Sequence, residues 1–184
     1  GVGASTFAAA LARTQCAADG RALLIDAHAY SGGLDLLLGV EAEAGARWPE
    51  LTVGDGSIDA ADLYRALPST PDGLARVVGA AHAGEGLCVV DCTPETVPDA
   101  CTHVVIVVAA EVRSAASAAQ LIARFGAARR SCVVVLRQRQ WASLSAAEVE
   151  SIIHSTVLAE LPTARGLKRA AEIGGLPQRL PAPL

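Results

Sequence analysis

Short aliphatic runs alternate along the chain with longer stretches in which apolar residues recur at helical spacing. The aliphatic runs fall at 21–26, 87–91, 104–110, 132–136 and 156–161. Runs this short, bounded by turn residues, read as strands. The run at 104–110 is so continuously apolar that it predicts a central parallel strand covered on both sides; 156–161 reads as an edge strand. Helical periodicity covers 5–18, where Phe7, Leu11 and alanines share a face, then 57–67, 73–82, 114–125 and 167–173. Ser145-Ala146-Ala147-Glu148 is a capping box that opens a further helix reaching 154. The leucines between Gly33 and Gly39 predict a short helix, and 40–51 reads as irregular around Trp48-Pro49. Asp19-Gly20, Gly84-Glu85-Gly86 and Gly174-Gly175 stop the segments before them, and 175–184 reads as an irregular tail. The alternation predicts an α/β fold, a mainly parallel doubly wound sheet, in a single domain over 1–184.

Composition narrows the core and the partners. With 184 residues, 52% of them apolar, the chain can bury one sizeable core. Aromatics are only 3%, so that core is aliphatic and alanine-rich. The formal charge of −4 is spread along the chain and leaves no dominant basic footprint for nucleic acid. Arg129-Arg130 and the group Arg165, Lys168 and Arg169 are interleaved with acids elsewhere and read as solvated surface. No apolar run approaches the roughly eighteen residues of a membrane span. Five cysteines, an odd number partly within apolar runs, suit buried thiols in a reducing, cytoplasmic setting. Cys88, Cys92, Cys101 and His103 are close in sequence but lack zinc-ligand spacing.

The first six residues, Gly1-Val2-Gly3-Ala4-Ser5-Thr6, match the second half of a phosphate-binding loop, Gly-x-x-x-x-Gly-Lys-[Ser/Thr]. Gly3 takes the second glycine position and Ser5 the hydroxyl position that holds Mg²⁺. Ala4 stands where the loop has lysine, and Lys168 is the one lysine of the chain. The first glycine and the strand leading into the loop would precede Gly1, so an N-terminally truncated domain is expected. Two aliphatic runs end in carboxylates, Leu24-Ile25-Asp26 and Val89-Val90-Asp91. In phosphate-loop proteins an aspartate at the end of such a strand holds Mg²⁺. An ordinary strand followed by a loop aspartate explains either run alone; the glycine loop upstream favours the Mg²⁺ role for Asp91.

In this order the glycine loop, Leu24-Ile25-Asp26, Gly33-Leu34-Asp35-Leu36-Leu37-Leu38-Gly39, Val89-Val90-Asp91 and the strand leading to Glu111-Val112 resemble the ParA/MinD ATPases, a deviant-Walker branch of P-loop NTPases of SIMIBI type. The segment Gly33 to Gly39 and Ala46-Arg47-Trp48-Pro49-Glu50-Leu51 resemble the actinobacterial CpaE-like, septum site-determining subgroup. Leu158-Ala159-Glu160-Leu161-Pro162 and Ala170-Ala171-Glu172-Ile173-Gly174 are similar to the end of that fold. The resemblance implies ATP and Mg²⁺ as ligands, a homodimer, and protein partners in division-site or pilus and secretion machinery. It assigns Gly1, Gly3, Ala4, Ser5, Thr6, Asp26 and Asp91 to the nucleotide, Ser5 and Asp91 to Mg²⁺, and Arg137 to the vicinity of the base. Three departures stand out. Ala4 replaces the lysine that meets the terminal phosphates. His28 replaces the second aspartate of Asp-x-Asp, which helps to activate water. Between Leu67 and Leu87 there is room for a helix but hardly for the strand that the family also fits there. Taken alone, His28 reads as a loop histidine and Arg137 as a solvated arginine.

Backbone N–H groups at a helix N-terminus cradle an anion without any particular side chain. Loss of the lysine removes a charge-assisted hydrogen bond of about 1.5–3 kcal/mol. The expectation is a degenerate ATP-binding regulator with weak or absent hydrolysis. The alternatives are an active ATPase completed by upstream or partner-chain residues, and a scaffold that binds only protein.

Overall fold

The computed structural model describes residues 2–19, 22–28, 32–45, 62, 65–67, 70, 87–139, 141–164, 166–173 and 175–177. The expected helix at 73–82, most of that at 57–67, and Trp48-Pro49 lie outside these residues. The chain divides into two compact units, one of Ser5–Val97 with Gly166–Ala182, the other of Pro98–Arg165 with Gly1–Ala4.

In the first unit, helix α1 (Ala4–Asp19) leads to strand β1 (Ala22–Asp26), short helix α2 (Leu34–Leu38), strand β2 (Leu87–Asp91) and, late in the chain, helix α5 (Leu167–Ile173). β1 and β2 pair in parallel, from Ala22 opposite Leu87 to Asp26 opposite Asp91. Ala27 N–H extends the ladder by donating to Asp91 O at 2.8 Å. Leu23, Leu24, Ile25, Leu34, Leu38 and Val40 are buried, as are Ala8, Ala9, Ala10 and Ala12 of α1. The core is thus the aliphatic, alanine-rich one that the composition predicts. α2 ends at Gly39, whose left-handed φ of 69° lets its N–H cap the helix through Asp35 O and Leu36 O.

α2 and α5 lie against each other. Residues 175–177, beyond α5, lie outside regular secondary structure yet are firmly seated: Leu176 is buried, and its N–H donates to Leu37 O at 2.7 Å. Gly175, at φ +80°, lies so close to α2 that a Cβ there would fall 2.6 Å from Gly39 N and 2.7 Å from the Leu38 carbonyl carbon. Only glycine suits both the conformation and the space.

In the second unit, β3 (His103–Ala109), β4 (Ser131–Arg137) and β5 (Val157–Leu161) form a parallel sheet in the order β3-β4-β5. Helix α3 (Val112–Ala127) packs on β3 and β4, and α4 (Ala146–Ile153) packs on α3 and β5. β5 is an edge strand, as expected. Among the described residues β3 pairs with β4, the middle strand of this three-stranded sheet, and Val105 of β3 is 39% exposed. Aliphatic continuity reports strand propensity, which β3 and β4 share, but does not say which strand has two neighbours.

α4 opens with the full capping box. Glu148 N–H donates to Ser145 Oγ, and Ser145 N–H donates to Glu148 Oε2 at 2.8 Å. The Ser145 backbone and then its hydroxyl hold the Glu148 carboxyl below its ordinary pKa. Ser145→Ala should lower the melting temperature by about 2–4 °C at neutral pH. The carboxylate's share of that difference is present above the ordinary glutamate value of 4.5 and is lost as pH falls through the lowered one; thermal melts from pH 3 to 7 check both.

Candidate functional site

The carboxyl ends of β1 and β2 bring the two aspartates of the sequence pattern side by side. Parallel pairing with Asp26 opposite Asp91 follows from two aliphatic runs that each end in a carboxylate and enter the sheet in the same direction. Carboxyl ends of parallel strands are where α/β folds bind ligands.

The two carboxylates do different work. Asp26 organises the loop after β1: its Oδ1 accepts from His28 N–H and its Oδ2 from Leu34 N–H, each at 3.1 Å. It therefore joins the end of β1 to the start of α2. Asp91 is only 6% exposed, and its Oδ2 is buried without a hydrogen-bond partner among the described residues. Burial pushes its carboxyl above the ordinary pKa; a hydrogen bond from the Ser5 hydroxyl pulls it down, the Asp26 carboxylate pushes it up, and His28 pulls it down. The parallel ladder sets Asp26 opposite Asp91, and the Ser5 hydroxyl lies beside Asp91.

Ser5 is the second residue of α1, so the Asp91 carboxylate meets a hydroxyl on the first turn of a helix. First-turn N–H groups have no partner within a helix and favour anions. Just before α1, Gly3 has φ +93°, a backbone conformation in which glycine is unstrained. Ala4 is exposed as the first residue of α1, and Thr6 is half-buried. Gly1 lies outside the described residues. Arg137, at the end of β4 in the second unit, donates to Pro162 O at 3.3 Å. Arg130 is bonded to Pro98 O at 3.0 Å and to Asp99 at 2.8 Å. Among the described residues no group of three or more His, Cys, Asp and Glu is arranged to hold a metal, and no helix is long and apolar enough to cross a membrane.

Sequence reasoning missed two contributors. The Leu34 N–H is a backbone group and has no residue signature. Thr96, in the loop after β2, accepts from Thr93 N–H at 3.1 Å and reaches Ala27 O at 3.5 Å, so it links the loops after both strands. The pair Thr93 and Thr96 following Asp91 is the one residue signal that could have pointed to it.

The pair Ser5 and Asp91 fits a hard divalent cation. Such an ion takes oxygen ligands, commonly one or two from protein with the rest from water and phosphate. A buried carboxylate oxygen without a partner beside a hydroxyl is a donor set of that kind.

No protein-family model matches the chain. It is 33% identical over 199 aligned positions to the uncharacterized proteins Rv3660c and MT3760 of two Mycobacterium tuberculosis strains, an alignment covering 96% of this chain. The chain spans about half, 55%, of the length of these relatives. Its fold matches the septum site-determining protein MinD complexed with Mg-ADP from Pyrococcus horikoshii, with a TM-score of 0.72 and 14% identity over 96% of this chain and 82% of that one. It also matches the MinC:MinD cell division protein complex of Aquifex aeolicus, with a TM-score of 0.69 and 19% identity over 96% and 82% of the two chains. For a ParA family ATPase from Chlorobium tepidum the TM-score is 0.64, with 16% identity over 96% and 85%. The chain therefore has the α/β fold, with parallel strands, of the MinD and ParA P-loop ATPases.

Proposed function

We infer that this chain binds ATP with Mg²⁺ and acts as a degenerate MinD/CpaE-like regulator with weak or absent hydrolysis. It serves the positioning of division-site or pilus and secretion machinery, through protein partners and as a homodimer, in the cytoplasm. The observation that carries the nucleotide reading is the partnerless buried oxygen of Asp91 beside the Ser5 hydroxyl at the start of α1. Ser5 and Asp91 would hold Mg²⁺, while Gly3, Thr6 and the first-turn N–H groups would take the phosphates. Bound there, the ion would supply positive charge to the phosphate oxygens. The solved MinD with Mg-ADP shares the fold, and the MinC:MinD complex supports protein partners.

The weak hydrolysis follows from what surrounds that pair. Ala4 brings no charge to the terminal phosphates. Asp26 already accepts a backbone N–H on each carboxylate oxygen, which suits holding a loop better than taking a proton from water. His28 stands where the resemblance has an aspartate and lacks its permanent negative charge.

Calorimetry with ATP and Mg²⁺, paired with a phosphate-release assay, tests this. Binding without appreciable turnover is expected. Turnover at rates ordinary for the family, abolished by Asp91→Ala, would overturn the degenerate reading. No binding heat would favour a protein-binding scaffold.

A further inference from the structure

Arg13 lies on α1 eight residues after Ser5, roughly 12 Å along the helix. It occupies the stripe of Ala9, Ala12 and Cys16 and is only 6% exposed. Its Nη1 donates to Leu176 O at 2.7 Å and to Pro177 O at 3.0 Å. Burying a guanidinium is expensive unless its donors are met, and two carbonyl oxygens meet those of Nη1 here. The same segment reaches α2 through Leu176 N–H to Leu37 O, and Gly175 presses on the Leu38–Gly39 backbone. α2 in turn begins at Leu34, whose N–H binds Asp26, and Asp26 stands opposite Asp91. Ser5 returns the path from Asp91 to α1.

These links close a ring: α1, the 175–177 segment, α2, Asp26, Asp91 and back to α1. We propose that Arg13 is a positioning residue, which fixes α1 and α2 relative to each other through the 175–177 segment and so holds Ser5 and Asp26 in place around Asp91. The proposal deepens the nucleotide-binding reading, since the groups it positions are the ones assigned there to Mg²⁺ and phosphate. Binding at the Ser5–Asp91 end and seating of the 175–177 segment are then coupled, and coupling of this kind is reciprocal.

Amide hydrogen exchange by NMR on the ligand-free full chain tests the positioning without reference to nucleotide. In Arg13→Met, exchange at Leu34 and Leu176 should accelerate well beyond that at Val90 in the β1–β2 ladder. Arg13→Lys, which keeps the charge and can reach one carbonyl, should restore part of the protection. A merely structural role would move all three amides together, and that result overturns the proposal. Where Arg13→Met does not fold, Arg13→Lys decides: selective loss at Leu34 and Leu176 supports the proposal, and a wild-type pattern overturns it. Mg-ADP affinity should fall about ten-fold in Arg13→Met, within the usual range of coupling between sites. Mg-ADP should also slow Leu176 exchange in the wild type. If the wild type binds no Mg-ADP, the nucleotide reading fails, while the ligand-free exchange still decides the role of Arg13.

Discussion

Replacing Asp91 with asparagine should stabilise the ligand-free protein and abolish its response to Mg²⁺-nucleotide. The wild-type carboxylate is buried, faces Asp26 and has an oxygen without a partner. Its pKa is raised in the fold, so folding favours the protonated form. The stability tied to that proton is fully present below the ordinary aspartate value of 3.8 and is lost as pH rises through the raised value. Above that raised value the wild type carries the cost of a buried negative charge. Asparagine removes the charge but leaves an amide to be satisfied, so the expected gain is about 1 kcal/mol, or roughly 2–4 °C in melting temperature. Addition of Mg-ADP should raise the melting temperature of the wild type and leave that of Asp91→Asn unchanged. Acid should weaken the wild-type response as Asp91 takes up its proton, beginning above the pH at which an ordinary aspartate titrates. Differential scanning fluorimetry from pH 4 to 8, with and without Mg-ADP, measures all of this. A lower melting temperature for ligand-free Asp91→Asn would show that the carboxylate is not held at a cost.

Ala4→Lys should act in the opposite sense on both quantities. Ala4 is exposed at the first residue of α1, so a long side chain can be accommodated. A cation at a helix N-terminus opposes the dipole and should cost the ligand-free protein about 0.3–1 kcal/mol. With nucleotide bound, the ammonium would meet the terminal phosphates. A charge-assisted hydrogen bond of about 1.5–3 kcal/mol corresponds to roughly 10–150-fold tighter ATP binding. Calorimetry of ATP against wild type and Ala4→Lys reads the ratio directly. Equal affinities would mean that the start of α1 does not face the terminal phosphate.

Much of this fold can be read from local chemistry. Ser145 and Glu148 announce a helix start because both halves of the capping box lie within four residues, and the structure closes both hydrogen bonds. Gly33 and Gly39 bracket α2 because the helix end needs a left-handed residue. Asp26 and Asp91 each close an aliphatic run, and parallel pairing makes them neighbours. What depends on contacts distant in sequence is far less legible. Arg13 is not singled out by any sequence motif; its burial shows only through its place in the Ala9, Ala12 and Cys16 stripe, and its acceptors lie more than 160 residues away. The stretch 175–184 reads as an irregular tail, and the anchorage of 175–177 stays hidden because it uses backbone groups and the absence of a Cβ at Gly175. Strand order is hard to read for a related reason: it is set by which strands pair, and Val104 to Ala110 and Cys132 to Leu136 are almost equally apolar.

The division of labour between the two carboxylates also escapes the pattern. Both aspartates end a strand, yet Asp26 is occupied by backbone donors while Asp91 keeps an oxygen in reserve. That difference gives the proposed site its centre. The most direct test uses Mn²⁺ as a paramagnetic stand-in for Mg²⁺. With ADP and Mn²⁺ added to isotope-labelled protein, the amide signals of residues 4–6 and 91–92 should broaden first, and Asp91→Asn should abolish the effect. Saturating nucleotide with no broadening there, or with broadening centred elsewhere, would contradict the account.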